Sequence, residues 1–270
     1  YHGIDRLCLS GGVALNCSMN GKIEQSGLFE EIFVQPASGD AGVAAGACYL
    51  AHKARNPAFE PKIMHNFCLG SWFSESEIET ALIERQLFVE QPTDLFERTA
   101  ARLAEGKIIG WFQGGAEFGP RALGNRSILT RPFPGDMKDY LNKRVKFREE
   151  FRPFAPAVLY EHTSEFFDIG QESPHMLIAC QATERARKKI PATVHVDNSC
   201  RVQTVKFENN ERFFKLLSAF FSQTGLPVLL NTSFNVKGQP IVNTPEQAIE
   251  CYLSTNIDCL VLEGFFLEKD

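Results

Sequence analysis

Twice in its first 55 residues the chain passes from a short apolar strand through a glycine turn into a helix, and that rhythm confines the opening segment to an α/β arrangement. The first passage runs from a strand over 4–9, through Ser10-Gly11-Gly12, into a helix ending near Ser26. The second runs from Glu31-Ile32-Phe33-Val34-Gln35, through Ser38-Gly39-Asp40, into a small-residue helix ending near Arg55. Such a turn exposes backbone N–H groups and the positive end of a helix dipole, which suits a phosphate or a ribose. Each turn also reads as a plain tight connection, and Asp40 also reads as an N-cap worth about 1 kcal/mol.

Residues 56–72 carry Pro57, Pro61 and Gly70 with little periodicity, so the boundary between two units is placed there. The second unit opens with a capping box at Ser74 to Glu77 and continues with helices over 94–105, 137–146, 211–223 and 245–254. A further capping box pairs Thr244 with Gln247. Strands are predicted over 107–113, 155–160, 176–181, 227–230 and 258–262. Strands and helices mix without strict alternation, which favours an α+β or mixed-sheet unit over a doubly wound one.

No apolar run approaches the roughly 18 to 20 residues that would span a bilayer. A formal net charge of −5 argues against a surface built wholly for nucleic acid. The eight cysteines show no C-x-x-C spacing and sit among aliphatic neighbours, so they read as reduced core residues of a cytoplasmic protein. The chain opens on Tyr1 almost inside a strand, which reads as the C-terminal piece of something longer.

The richest motif is Gly114-Gly115-Ala116-Glu117-Phe118-Gly119-Pro120-Arg121-Ala122-Leu123-Gly124-Asn125-Arg126-Ser127, directly after the strand Ile108-Ile109-Gly110-Trp111-Phe112. It is read as a loop stiffened by Pro120 that holds Arg121 and Arg126, whose planar forks suit phosphate or carboxylate. Between residues 106 and 156 ten Lys/Arg stand against five Asp/Glu, a local excess in an acidic chain that marks a small anionic ligand. Lys138 reads as part of a solvated helix face. Further on, Arg201 precedes an alternating strand, and Asn231-Thr232-Ser233 ends a buried one, where α/β sheets tend to present ligands. His2, His52, His65, His162 and His175 have no metal-ligand spacing.

Taken in order, S-G-G-V-A-L-N at 10–16, S-G-D-A-G at 38–42, G-A-E-F-G-P-R-A-L-G-N-R-S at 115–127, K-x-R-E-x-F-R-P-F-A-P at 146–156, H-V-D-N-S-C-R-V-Q-T-V at 195–205 and L-N-T-S-F-N at 230–235 resemble the ATP-dependent O-carbamoyltransferases of the NodU, CmcH and TobZ type. The resemblance covers nearly the whole chain. It implies that residues 1–69 are the C-terminal piece of an actin-like (ASKHA) domain and residues 70–270 a YrdC-like mixed-sheet domain. The YrdC-like domain would form carbamoyl adenylate from carbamoyl phosphate and ATP with Mg2+, and the actin-like domain would pass the carbamoyl group to a small-molecule hydroxyl acceptor at an Fe2+ site.

By the same resemblance, Arg121, Arg126, Lys146, Arg152, Arg201, Asn231 and Ser233 would bind substrate, with Lys146, Arg121 and Ser233 closest to the chemistry. Gly11, Gly12 and Asn16 would hold the adenylate, and Asp40 would ligate the metal. The histidines that complete the family's metal site lie upstream of the segment matched here, so the transfer half is incomplete. No membrane and no nucleic acid are expected as partners, and a homodimer is left open. The rival readings are a threonylcarbamoyl-adenylate synthase, which domain order disfavours, an RNA-binding module using the basic segment, and a sugar-kinase-like ATPase.

Overall fold

A computed structural model describes residues 3–61, 64–147, 149 and 153–269. The opening unit holds β1 (Arg6–Leu9), α1 (Cys17–Gln25), β2 (Glu31–Val34) and α2 (Asp40–Arg55), with β1 and β2 pairing in parallel. The second unit runs through α3 (Glu75–Glu84), α4 (Leu95–Glu105), β3 (Ile109–Phe112), β4 (Arg126–Thr130), α5 (Met137–Leu141), β5 (Ala155–Leu159), α6 (Thr163–Phe166), β6 (Phe167–Asp168) and β7 (Cys180–Ala182). It continues with α7 (Glu184–Lys189), β8 (Ser199–Cys200), β9 (Gln203–Val205), α8 (Glu211–Thr224), β10 (Val228–Ser233), α9 (Pro245–Leu253), β11 (Cys259–Leu262) and β12 (Phe265–Glu268).

Seven strands form one mixed sheet in the order β12-β11-β3-β4-β10-β5-β9, parallel at β11/β3 and β5/β9 and antiparallel elsewhere. A period of two sorts its side chains onto opposite faces. Ile109, Trp111, Leu129, Leu229 and Val261 pack with Leu103 of α4 and Phe213, Leu217 and Phe220 of α8. Their neighbours Phe112, Ile128, Leu230, Leu260 and Leu262 pack with Ile78 and Leu82 of α3 and Ile249 of α9. The sheet is therefore buried on both faces, as its nearly all-apolar strands require.

Both capping boxes form, at Ser74 with Glu77 and at Thr244 with Gln247. The predicted helix over 137–146 stops at Leu141 and gives way to a π-helical turn over Asn142–Lys146. The strand predicted over 176–181 shrinks to Cys180–Ala182, because Met176 sits at a positive φ of 55°. Arg126 opens β4 instead of lying on the loop, and β12 returns against β11 through Glu263 at φ 49°. Asp40 is the first residue of α2, whose N-cap is Gly39, so it does not serve as the N-cap. Four cysteines (180, 200, 251 and 259) are buried as expected, whereas Cys17 and Cys68 are half-buried and Cys8 and Cys48 are exposed. Burial pushes the Cys180 and Cys259 thiols up to about 12.

The opening unit docks on the second through α1. Asn20 Nδ2 donates to Ala14 O and Leu177 O, each at 2.8 Å, and Ala179 N donates to Cys17 O at 3.0 Å. Gln171 closes the edge of β2 by accepting from Ile32 N and donating to Ile32 O. Gly21 is what permits the approach, since a Cβ there would lie 2.0 Å from Ala179 O. Gly21→Val is therefore expected to cost about 1–3 kcal/mol by overpacking. Hydrogen exchange should show faster loss of the Ala179 amide with the seven-stranded sheet unchanged; equal protection of Ala179 in the variant would contradict this.

Candidate active site

The loop between β3 and β4 is shaped from within by its own carboxylate. Glu117 Oε1 accepts from Leu123 N at 2.6 Å, Asn125 N at 2.8 Å and Arg126 N at 3.2 Å, so amides that could have bound an external anion are already satisfied. Gly124 holds the turn at φ 102°, where a Cβ would lie 2.4 Å from the Phe213 ring. Its carbonyl accepts from Trp111 Nε1 at 2.9 Å. Gln203 Nε2 donates to Leu123 O at 2.8 Å, and Asn231 Nδ2 donates to Gln203 Oε1 at 2.9 Å. The Arg121 segment is thus pinned to β9 and β10.

Arg126, expected to bind substrate, is fully buried and placed elsewhere. Nη1 donates to Gln113 O, Gly114 O and Asn125 O at 2.9–3.1 Å, Nη2 donates to Ser71 O at 2.9 Å, and the guanidinium lies 3.5 Å over the Phe112 ring. Burial lowers its pKa to about 10, which leaves it charged at neutral pH. Its role is to brace the loop that presents Arg121.

Arg121, Arg201, Asn231 and Ser233 meet around one cavity of about 340 Å³, whose wall also includes His195 and, from the opening unit, Cys17. Arg121 Nε, a donor, and Asn231 Oδ1, an acceptor on a side chain only 1% exposed, are buried there without a hydrogen-bond partner. Such groups are costly unless a ligand or water meets them. Lys146 lies behind Ser233. Its Nζ donates to Ser233 O (2.8 Å) and Oγ (3.2 Å) and to Asn235 O (2.9 Å) and Oδ1 (2.6 Å), while Ser233 Oγ donates to Asn235 Oδ1 at 2.8 Å. The lysine therefore orients the end of β10.

Arg152 lies outside the described residues. Gly11 and Gly12 sit at the first glycine turn, Gly11 at φ 92°, with open space where a Cβ would stand. Asn16 Oδ1 caps α1 by accepting from Met19 N at 3.1 Å. Asp40 is exposed, and the described residues contain no group of three or more His, Cys, Asp or Glu that could hold a metal. Sequence reasoning passed over His195, Glu117 and Gln203. The turn Val196-Asp197-Asn198-Ser199 was the available signal for the first, because Asn tolerates the positive φ of 62° that aims the chain back.

Comparison with known proteins shows the family. Residues 100–269 match the family model described as the carbamoyltransferase C-terminus, and residues 1–49 match the carbamoyltransferase N-terminus. The chain belongs to the carbamoyltransferase family. The chain is 42% identical, over 99% of its length, to nodulation protein NolNO of Sinorhizobium fredii and to nodulation protein NolO of Bradyrhizobium diazoefficiens. It covers 40% and 50% of those two proteins, respectively, so it spans about half the length of the relatives it matches or less. Among solved structures it is similar to full-length HypF in the phosphate- and nucleotide-bound form, with a TM-score of 0.45 and 17% identity over 65% of this chain and 22% of that one.

Proposed function

We propose that this carbamoyltransferase chain forms carbamoyl adenylate from carbamoyl phosphate and ATP, and that the whole protein passes the carbamoyl group to a hydroxyl of a small-molecule acceptor. Carbamoyl phosphate, ATP and one water balance to carbamoyl adenylate, pyrophosphate and phosphate. Residues 70–270, as a YrdC-like domain, would carry out that adenylation. Residues 1–69, as the C-terminal part of an actin-like domain, would serve transfer. ATP would enter with Mg2+, with Gly11, Gly12 and Asn16 near the adenylate, in a cytoplasmic protein.

The observation that carries the reading is the shared cavity of Arg121, Arg201, Asn231 and Ser233, with a buried donor and a buried acceptor left for a ligand to satisfy. Phosphoryl and adenylyl transfer ask mainly for positioning and charge neutralisation, which arginines on a braced loop supply. Arg152 would add a further cation to the same ligand. An Fe2+ at Asp40 does not fit the described residues, which supply one exposed carboxylate and no second ligand in a metal-sized group.

Arg121→Ala tests the reading. Loss of charge-assisted hydrogen bonds of about 1.5–3 kcal/mol predicts roughly ten- to hundredfold weaker carbamoyl phosphate binding by calorimetry. The thermal midpoint should stay near that of the parent, because no hydrogen bond among the described residues uses this side chain. Equal affinity in a folded variant would remove Arg121 from the site.

A further inference from the structure

His195 on the cavity wall is backed by Ser199 and Asp197, and the proposed adenylation leaves all three unused. His195 N donates to Ser199 O at 2.9 Å and Asn198 N donates to His195 O at 3.0 Å, closing a tight turn that brings the imidazole to the cavity wall. Ser199 Oγ donates to Asp197 Oδ1 at 2.7 Å and lies 3.2 Å from His195 Nδ1. The hydroxyl has one proton, and the carboxylate takes it. Ser199 Oγ must then accept from Nδ1–H, which leaves Nε2 with its lone pair. Burial lowers the His195 pKa, Asp197 opposes the shift, and Arg201 and Lys138 add to it. These influences favour the neutral imidazole, whose Nε2 is an acceptor.

We infer that His195 determines specificity: its Nε2, together with Asn231 Oδ1, accepts from the amino group of a carbamoyl ligand and so separates carbamoyl phosphate from its methyl isostere, acetyl phosphate. This rests on the carbamoyl phosphate reading above. The arginines of the cavity offer only donors, which grip any phosphate alike. An amino group brings two N–H donors to the two acceptors on the wall, whereas a methyl group leaves both acceptors dry and unpaired. Sites built to meet a polar group reject the analogue that lacks it far better than apolar sites reject an extra methylene.

Calorimetry with carbamoyl phosphate, acetyl phosphate and inorganic phosphate, on the parent chain and two variants, tests this. The parent is expected to prefer carbamoyl over acetyl phosphate by about thirtyfold, from two hydrogen bonds of ordinary strength. His195→Phe should lower that ratio about five- to tenfold and leave inorganic phosphate affinity unchanged. Ser199→Ala keeps the ring but releases its tautomer, so the ratio should fall severalfold; it carries the test if His195→Phe does not fold. An unchanged ratio in Ser199→Ala and His195→Phe, or equal weakening of all three ligands, would overturn the inference. A parent chain that binds carbamoyl and acetyl phosphate equally would sink this inference alone. A parent that binds none of the three would sink the proposed function itself.

Discussion

Arg126→Ala is expected to destabilise the chain by about 3–5 kcal/mol, the cost of emptying a large buried site and leaving main-chain carbonyls without their donor. The side chain is fully buried, its Nη atoms serve four main-chain carbonyls, and its plane stacks on Phe112. Truncation takes the donor from Gln113 O and Gly114 O, while Asn125 O and Ser71 O keep the main-chain donors Gln113 N and Ala116 N, and it opens a space that water must enter or leave empty. Because Ser71 O is among them, the segment after the boundary region loses one of its ties to the loop and keeps the main-chain bonds of Phe67, Gly70 and Ser71 to Phe118 and Ala116. Arg126→Lys should rescue little, since one ammonium cannot reproduce a planar fork spread over four acceptors. Urea denaturation reads the effect, and a loss below about 1 kcal/mol would show that the network is worth no more than an exposed pair. Set beside Arg121→Ala, which should spare stability and lose ligand, this variant separates the two arginines that the sequence had grouped together.

That grouping shows where sequence reasoning reached and where it stopped. The glycine turns, the two capping boxes and the helix over 40–55 were legible because each depends on residues a few positions apart. Arg121, Arg201, Asn231 and Ser233, which the family resemblance had grouped as substrate ligands, line one cavity, although no local pattern brings residues 121 and 233 together. What escaped were the roles that long-range pairing sets for Arg126, Lys146 and Glu117. Arg126 looked like a loop residue because strand β4 is defined by its partners β3 and β10, and its own five residues give no alternation to read. Lys146 looked like a phosphate ligand, yet its ammonium is engaged with Ser233 and Asn235, residues nearly ninety positions away. Glu117 was counted merely as one acid against ten bases, whereas it is the group that folds the loop on which Arg121 stands.

The buried position of Lys146 leads to the largest expected functional effect. If the chain makes carbamoyl adenylate, it should catalyse exchange of pyrophosphate into ATP, and only when carbamoyl phosphate is present. Lys146→Ala should lower that exchange about a hundredfold, the usual scale on which a displaced positioning group costs an active site. The physical cause lies in the strand end: without the ammonium, Ser233 O, Asn235 O and Asn235 Oδ1 lose a common donor, and the Ser233 hydroxyl is no longer held at the cavity wall. Lys146 is only 3% exposed, so its charge acts through a low-dielectric path and escapes most salt screening. Lys237→Met is the control, removing an exposed cation that pairs with Glu149 at 3.2 Å and taking away the same unit of charge from the neighbourhood. Exchange in Lys237→Met should stay within about twofold of the parent, because exposed pairs contribute little. Parallel losses in both variants would mean that net charge steers ATP to the chain and that Lys146 has no local role. Absence of exchange in well-folded parent chain, at high ATP and carbamoyl phosphate, would take adenylation away from this part of the protein altogether.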